Sequence, residues 1–246
     1  MAASSRNASL SSLPKAAELR LGGLTPLSTT DYPGALAAVL FCQGCPWRCS
    51  YCHNSHLIPA DAAPEREWGA ARAFLRGRQG LLDAVVFSGG EPTLQDGLVS
   101  AMKEVKAMGF KIGLHTGGAY PERLRDLLPL VDWVGLDIKG PFERYEAVNG
   151  APGSGGKALE SLRLVVESGV EHECRTTVHP ALISEAELVA LSSSLFALGA
   201  RKHVLQAFRP DGCRDEALLS SHDPVALTRL LDAASAASAR IELRGV

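Results

Sequence analysis

The residues with the clearest chemical potential are three cysteines in one short segment. Cys45, Cys49 and Cys52 lie within eight residues, at the spacing Cys-x3-Cys-x2-Cys. At this spacing one turn of loop can direct all three thiols at one metal centre. A cubane iron–sulfur cluster held by only three thiolates keeps one iron with an open position, which can bind a small molecule while the cluster carries an electron. The segment therefore predicts a reactive metal centre.

A zinc site is the alternative for the same segment. Tetrahedral zinc needs a fourth cysteine or histidine at comparable spacing, and Cys42 or His53 could supply it. That choice crowds four ligands into one run, whereas zinc ribbons more often use two separated pairs. Cys42 also ends an apolar run, where it can be a core residue. We therefore expect the cluster, with a zinc or electron-transfer module as the competing class.

Two further groups of polar residues follow apolar runs. Gly89, Gly90 and Glu91 come after one run, where glycines let the backbone approach a ligand and a carboxylate suits an ammonium group. A strand-to-helix turn with an acid near the helix N-terminus is the structural alternative. Asp137 and Lys139 end another run, and strand alternation puts both on one face. They could contact a zwitterion or a ribose, or form an ordinary surface ion pair.

The remaining candidates stand alone in the sequence. His115 and Arg175 are each near the end of an apolar run, and single residues of this kind are more often structural than functional. Cys174 and Cys213 have no partner at ligand spacing, so we expect both to be buried apolar residues. His179 precedes a proline and is expected in a turn.

Composition limits the classes of function. The chain has 246 residues, of which 46% are apolar, which is enough for one large core. Its net charge of −2 comes from interspersed acids and bases, so nothing indicates a surface for nucleic acid or membrane. No apolar run reaches the roughly 20 residues of a membrane-spanning helix. Four of the six cysteines are crowded together, which is a poor disulfide framework, so a reducing cytoplasm is expected.

Short apolar runs alternate with helical patterns along the chain. Strands are predicted at 35–41, 84–87, 110–114, 133–136, 171–178 and 203–208, with a closing strand suggested at 239–243. Helices are predicted between them, for example at 95–108 and 159–168, and the Gly-rich stretch 149–156 is predicted as a loop. This order predicts an α/β fold with a parallel sheet. Ligand sites of such folds gather at the carboxyl ends of strands, so the polar strand ends should share one site.

No change in composition marks a second domain. Residues 21–246 are therefore expected to form a single domain, preceded by residues 1–20 as a disordered tail. Residues 1–17 are rich in Ser and Ala and carry no acid, so a transit peptide is the alternative for this segment.

Taken together, these residues resemble the radical S-adenosylmethionine (SAM) superfamily. The cysteine spacing fits, with Tyr51 as the aromatic residue before the third cysteine, and so does the Gly-Gly-Glu-Pro turn after the second strand. The stretch Thr29–Asn54, which contains TTDYPG and FCQGCPWRCSYCHN, is similar to glycyl-radical activating enzymes, above all to activators of anaerobic ribonucleotide reductases. The resemblance extends from about Leu21 to the C-terminus and is loose outside these motifs.

The resemblance implies a fold and two cofactors. The fold would be an incomplete (β/α) barrel of about six parallel strands with a lateral opening. The three cysteines would hold a [4Fe–4S] cluster, and SAM would chelate its open iron through its amino and carboxylate groups.

The resemblance also implies contacts with SAM. Adenine would contact Tyr51, Cys52 and His53, and the methionine ammonium would contact Gly89, Gly90 and Glu91. Further implied contacts are Asp137, Lys139, Arg175 and the segment Gln206–Arg209. One residue departs from the pattern, because His115 stands where related activators often have an acid.

The implied activity is reductive cleavage of SAM to a 5′-deoxyadenosyl radical, which removes a hydrogen atom from a glycine of a partner enzyme. The expected partners are an anaerobic ribonucleotide reductase and an electron donor of the flavodoxin or ferredoxin type. No paired carboxylates or Ser/His constellation indicates acid–base catalysis instead. A radical SAM enzyme acting on a small molecule, such as a deazapurine synthase, is the alternative.

Overall fold

The computed structural model describes residues 19–245, so the predicted tail lies outside the described residues except for its last two positions. The described part contains one sheet of nine strands in the order β3-β1-β2-β4-β5-β6-β7-β8-β9. The strands are β1 (Arg20–Ser28), β2 (Ala37–Cys42), β3 (Arg66–Glu67), β4 (Ala84–Gly89), β5 (Lys111–Thr116), β6 (Trp133–Asp137), β7 (Glu171–Val178), β8 (His203–Ala207) and β9 (Ile241–Arg244).

Helices connect the strands and cover one face of the sheet. In chain order they are α1 (Trp68–Arg76), α2 (Leu98–Ala107), α3 (Pro121–Leu127), α4 (Tyr145–Asn149), α5 (Ser154–Ser168), α6 (Glu185–Ala197), α7 (Glu216–Ser220) and α8 (Pro224–Ser235). Within the range 19–245, no helix is long and apolar enough to cross a membrane.

The parallel sheet confirms the predicted α/β fold. From β2 through β4 to β9, each strand pairs in parallel with the next. The sheet therefore has seven parallel strands. Six of them were predicted, and the seventh, β9, is the closing strand that the alternation at 239–243 suggested. The edge strands β3 and β9 do not pair with each other in the described residues, so the barrel is incomplete.

Strand β1 was not predicted from the sequence, and it begins at Arg20, inside the range expected to be tail. It pairs antiparallel with β2 and with β3, and its register shifts twice along β2. Its sequence, RLGGLTPLS, contains two glycines and a proline and has no clear period-2 alternation. Pairing with β2 therefore decides its conformation.

The helices differ from their predicted bounds for local reasons. A 3₁₀ turn at Pro92–Leu94 precedes α2, which begins at Leu98 instead of at position 95. The predicted Gly-rich loop is wrong at its end, because Ser154 to Gly156 form the first turn of α5. At the start of α6 the sequence does encode the boundary: Ser184 and Glu187 form a reciprocal capping box.

The sheet has two differently packed faces. The outer face packs against the helices and forms the main core, which includes fully buried Leu40, Phe87, Leu114 and Leu136. The inner face has a small separate cluster around Tyr32, Val86 and Trp133. The ring centroids of Tyr32 and Trp133 lie 5.6 Å apart. Above this cluster, toward the carboxyl ends of the strands, the inner face becomes polar.

Candidate active site

A cavity of about 270 Å³ lies at the carboxyl ends of the parallel strands and collects the predicted site residues. It is lined by all of them: Cys45, Cys49, Tyr51, Cys52, His53, Gly89, Gly90, Glu91, Asp137, Lys139 and Arg175. Residues up to 130 positions apart in the sequence, from Cys45 to Arg175, therefore meet at one site, as expected for strand ends of a parallel sheet.

The three cysteines lie on the loop that follows β2, and backbone hydrogen bonds fix this loop on both sides. The amide of Cys45 donates to the carbonyl of Ile58 at 3.1 Å, and the amide of Cys52 donates to the carbonyl of Cys49 at 3.1 Å. The amide of Ser50 donates to the carbonyl of Val148 at 3.0 Å, which anchors the loop to α4. The loop therefore presents its thiols from a constrained backbone.

Cys42 is separated from this group. Its side chain is fully buried in the outer core, and it does not line the cavity. Burial, followed by the nearby charge of Glu91, raises the pKa of Cys42 far above its ordinary value. Cys42 is thus an apolar core residue, as one of the sequence interpretations allowed.

The donor set fits a cluster held by three cysteines. Cys45, Cys49 and Cys52 line the cavity, whereas Cys42, one of the two candidates for a fourth zinc ligand, does not. In a four-iron cubane each of these thiolates would bind a different iron atom. Burial raises the pKa of Cys45 to about 12 and that of Cys49 to about 11. Both thiolates therefore need a strong compensating cation.

Gly89 and Gly90 also have a packing role at the end of β4. Gly89 has a φ of +112°, and a Cβ atom there would lie 2.4 Å from the amide nitrogen of Cys42. A Cβ atom on Gly90 would lie 2.3 Å from the carbonyl oxygen of Gly44. The amide of Gly90 also donates to the carbonyl of Cys42 at 2.9 Å. These glycines thus let the strand end pack directly against the cysteine loop.

Glu91 organises the strand end through its side chain. One carboxylate oxygen accepts from the amide and the hydroxyl of Thr93 and from the hydroxyl of Thr116, at 3.1, 2.6 and 2.7 Å. The other accepts from the amide of Gly117 at 2.9 Å. Burial raises the pKa of Glu91 despite these hydrogen bonds. Its contacts tie β4 to β5, so much of its acceptor capacity is used within the protein.

Asp137, Lys139 and Arg175 form an ion-pair network on the inner face. The Nζ atom of Lys139 lies 3.0 Å from Asp137, and Nε of Arg175 lies 2.8 Å from the other carboxylate oxygen. Burial alone would raise the pKa of Asp137, but the two cations outweigh it and hold that pKa below its ordinary range. Burial likewise opposes the charge of Lys139, and Asp137 outweighs it, so the pKa of Lys139 is raised. Asp137 and Lys139 are therefore both charged.

Two aromatic residues that the sequence analysis did not select support this network. The hydroxyl of Tyr145 accepts from the amide of Lys139 at 2.9 Å and donates to the carbonyl of Asp137 at 3.2 Å. Trp47 packs edge-on against Tyr145 at 5.7 Å, and its ring occupies the space that a Cβ atom on Gly117 would need. No sequence motif marks either residue. Tyr145 reaches the end of β6 only because the fold places α4 beside it.

Two buried polar atoms at the cavity lack a partner in the described protein. They are the hydroxyl of Tyr51 and Nε2 of His53. Both residues line the cavity, and Lys139 lies over the Tyr51 ring with Nζ 6.0 Å from its centroid. Buried polar atoms normally find a partner, so these two fit a site that holds a polar ligand.

The His115 side chain is neutral, and both of its ring nitrogens have hydrogen-bond partners. Its Nε2 lies 2.9 Å from the carbonyl oxygen of Asp31 and therefore donates, while Nδ1 lies 3.3 Å from the hydroxyl of Ser88 and accepts. Burial and the charge of Arg175 lower the pKa of His115 to about 3. His115 thus positions the Asp31 segment against the cavity.

The single cysteines are buried, as expected, but one of them has a polar contact. Cys174 is fully buried in the core. The thiol of Cys213 donates to the carbonyl of Ser50 at 3.4 Å, on the cysteine loop. His179 follows β7 in a turn, where its ring contacts Phe208 edge-on at 4.8 Å. Cys213 therefore joins the loop after β8 to the site.

Comparison with known proteins shows the family to which the chain belongs. Residues 39–188, which carry the cysteine loop and the ends of β2 and β4 to β7, match the Radical SAM superfamily. The chain belongs to the radical SAM superfamily. Radical SAM enzymes use a [4Fe–4S] cluster and SAM, which agrees with the donor set of the cavity.

Several relatives have names that state an activity. A protein of Methanocaldococcus jannaschii, provisionally named a glycyl-radical enzyme activating enzyme, is 31% identical over 80% of this chain and 82% of its own length. The pyruvate formate-lyase-activating enzyme of Clostridium pasteurianum is 29% identical over 68% of this chain and 72% of its own. The 7-carboxy-7-deazaguanine synthase of Thermococcus kodakarensis is 29% identical over 55% of this chain and 60% of its own.

Solved structures confirm the radical SAM fold. SuiB of Streptococcus suis, in complex with SAM, superimposes with a TM-score of 0.65 over 82% of this chain, at 12% sequence identity. The match spans 48% of the SuiB chain, about half its length. The predicted incomplete barrel is therefore confirmed.

Proposed function

We propose that this radical SAM enzyme activates a glycyl-radical enzyme by removing a hydrogen atom from a glycine of that partner. The observation that carries the proposal is the extent of the match to the M. jannaschii protein, which covers 80% of this chain and 82% of that relative. The match to the deazaguanine synthase covers 55% of this chain. The match to an activating enzyme thus covers a larger share of this chain than the match to the synthase does.

The cavity residues divide into two proposed tasks. Cys45, Cys49 and Cys52 would hold the cluster, since all three line the cavity and Cys42 does not. SAM would lie beside them, near Lys139 and the two unpartnered atoms of Tyr51 and His53. The carboxylate of SAM suits a site with cationic side chains, and its adenine suits the aromatic rings of Tyr51 and His53. Gly89 and Gly90 would keep the end of β4 close to the cysteine loop.

The reaction would need no acid–base residue. When bound, the cluster would supply one electron and SAM the 5′-deoxyadenosyl group that takes the hydrogen atom. The residues of the cavity would position this group and exclude water from it. His115 has both ring nitrogens engaged, while Asp137 and Lys139 neutralise each other, so these groups position and do not exchange protons.

We further propose an anaerobic ribonucleotide reductase as the partner and a reducing cytoplasm as the location. The support for this partner is the similarity of the segment Thr29–Asn54 to activators of such reductases. Within this segment, Asp31 lines the cavity and is tied to His115, so the resembling residues are at the site itself. The six cysteines are all free thiols in the structure, which suits a reducing compartment.

The test combines the reconstituted enzyme, a reductant, SAM and an anaerobic ribonucleotide reductase. We expect a doublet in electron paramagnetic resonance from a glycyl radical on the reductase. With deuterium on the target glycine, the deuterium should appear in 5′-deoxyadenosine. Pyruvate formate-lyase is the second partner to be tried. Cleavage of SAM without a radical on either partner, together with formation of 7-carboxy-7-deazaguanine, would replace this proposal with the small-molecule function.

A further inference from the structure

A short segment after the cysteine loop forms walls of two cavities. It comprises residues 55–62, begins with a 3₁₀ turn at Ser55–Leu57 and is named the strap. Ile58 of the strap lines the large cavity, and it also lines a second cavity of about 310 Å³ together with Cys49 and Cys52. Other strap residues, such as Pro59, are exposed. The strap therefore lies between the proposed cluster ligands and the solvent.

Main-chain hydrogen bonds join the strap to the cysteine loop. The amide of Gly44 donates to the carbonyl of Leu57 at 2.7 Å, and the amide of Cys45 donates to the carbonyl of Ile58 at 3.1 Å. The position of Cys45 thus depends on the position of the strap.

Gln43 holds the strap on both sides of these two bonds. Its Nε2 atom donates to the carbonyl of His56 at 3.3 Å and to the carbonyl of Pro59 at 2.8 Å. A primary amide has two N–H donors, so Gln43 uses both of them on the strap. Gln43 is 4% exposed, which keeps its side chain in this one place.

Strand β1 contacts the strap as well. The guanidinium of Arg20 donates to two further carbonyls of the strap. Gly22 lies where the strand and the strap are in contact, because a Cβ atom there would be 2.2 Å from Cδ2 of Leu57 and 2.5 Å from Oε1 of Gln43. A larger residue at position 22 would therefore push both side chains away from β1.

We propose that Gln43 is a positioning residue for the cluster, because it keeps the strap closed against the cysteine loop. While Gln43 binds the carbonyls of His56 and Pro59, the carbonyl of Ile58 stays within reach of the Cys45 amide. The closed strap also limits the access of water and chelators to the cluster. The inference needs the cluster but does not rest on the proposed glycine substrate.

Loss of the Gln43 donors should loosen the strap without unfolding the domain. His56 and Pro59 are exposed, so water can replace the amide at their carbonyls. In Gln43→Met a flexible apolar side chain fills the buried site and leaves no donor unpaired. The Tm should therefore fall by no more than about 4 °C.

The control for Gln43→Met is Gln79→Met. Gln79 also donates through Nε2 to a main-chain carbonyl, that of Met108, at 2.9 Å. The control therefore removes the same kind of hydrogen bond at a place that does not hold the strap.

A second pair of variants disturbs the strap by adding volume. Gly22→Ala places a Cβ atom against Leu57 and Gln43, whereas in the neighbouring Gly23→Ala the Cβ atom meets only the Phe41 ring, at an ordinary 3.6 Å. This pair is independent of the donors of Gln43, so it tests the strap by a different physical change.

Two measurements on the reconstituted protein, both without oxygen and without SAM, report on the strap and on the cluster. Amide hydrogen exchange of peptides within residues 43–62 reports on the bonds between the strap and Gly44 and Cys45. Release of iron to a chelator, followed by absorbance, reports on access to the cluster.

We expect both the exchange in this segment and the release of iron to be about tenfold faster in Gln43→Met, because local opening governs each of them. Gly22→Ala should change both in the same direction. Exchange in β6, β7 and β8 should stay at the wild-type rate, and Gln79→Met and Gly23→Ala should behave as wild type.

The result for Gln43→Met decides the proposal. Wild-type exchange in residues 43–62 would show that Gln43 does not hold the strap. Faster exchange with iron release at the wild-type rate would show that the strap does not protect the cluster. Faster exchange throughout the sheet would show a general loss of stability. Each of these three results would overturn the proposal.

Discussion

Asp137 and Arg175 are directly opposite each other on β6 and β7 and form the central ion pair of the inner barrel face. The guanidinium of Arg175 lies against Gly135 of β6, where a Cβ atom would be 2.8 Å from its Cζ atom. Arg175 is largely buried, with 8% of its side chain exposed, so the pair is shielded from water on one side.

Replacing Arg175 by methionine tests how much this ion pair contributes to the free energy of unfolding. Arg175→Met keeps most of the side-chain length but leaves Asp137 with Lys139 alone. Breaking a buried pair can cost 3–5 kcal/mol, and because Asp137 is partly exposed and keeps one partner we expect about 2 kcal/mol. The free energy of unfolding is measured in guanidinium chloride without oxygen. Arg201→Met, which removes the exposed pair with Glu171, should cost less than about 1 kcal/mol.

Cys42 should be dispensable for the cluster. Cys42→Ala removes a core thiol that does not face the cavity, so the reconstituted variant should keep about four irons per chain. Cys45→Ala, Cys49→Ala and Cys52→Ala should each lose the cluster. Iron analysis and visible absorbance measure both outcomes. An iron-free Cys42 variant that is still folded by circular dichroism would contradict the ligand assignment.

Gly90 should affect iron content as well as SAM binding. In Gly90→Ala the new Cβ atom would meet the carbonyl of Gly44, next to Cys45, so the cysteine loop has to move. We expect less iron after reconstitution and weaker SAM binding together. Gly156→Ala is the control, because a Cβ atom there meets nothing within 4 Å. A Gly90 variant with full iron content and weak SAM binding would favour direct approach of the ligand to this glycine.

Lys139 should affect SAM binding alone. Lys139→Met leaves Asp137 paired with Arg175 and leaves the cysteine loop untouched, so iron content should stay at the wild-type level. Loss of the cation above Tyr51 should weaken SAM binding by roughly tenfold, or about 1.4 kcal/mol. Calorimetry on reconstituted protein measures the affinity, with Lys202→Met, on an exposed pair with Glu242, as the control. Wild-type affinity in Lys139→Met would reduce the motif to a structural ion pair.

His115 should make stability depend on pH. Its folded-state pKa is about 3, below the roughly 6.5 of an unfolded chain, so the unfolded state binds more protons between these values. Stability is therefore complete above pH 6.5 and falls as the pH drops. From pH 8 to pH 6 this residue should account for about 1 kcal/mol, equivalent to 2–4 °C in Tm.

The comparison is with His115→Gln, which can still donate to the carbonyl of Asp31. Its Tm should fall by about 2 °C less than the wild-type Tm between pH 8 and pH 6. The other histidines are the same in both proteins, so their contributions cancel when the two changes in Tm are subtracted. Equal loss of Tm in both proteins would show that His115 does not carry this pH dependence.

The sequence by itself determined the parallel strands and many of the residues that line the cavity, though not Trp47. Continuous apolar runs such as Ala84–Phe87 specify buried strands, and polar groups directly after them must lie at the carboxyl edge of the sheet. The cysteine spacing likewise specified one loop whose three cysteines line the same cavity, because the relative position of near neighbours is encoded locally.

Only the tertiary structure decided what each polar group contacts. Glu91 satisfies donors from β5, Tyr145 returns to Asp137 from α4, and Gly90 packs against Gly44, and each of these contacts joins segments whose relative position no local pattern encodes. The same holds for β1, whose irregular sequence forms a strand because β2 offers it a hydrogen-bonding edge. Local spacing specifies which residues reach the site, whereas packing between distant segments specifies their partners, their charge and their exposure.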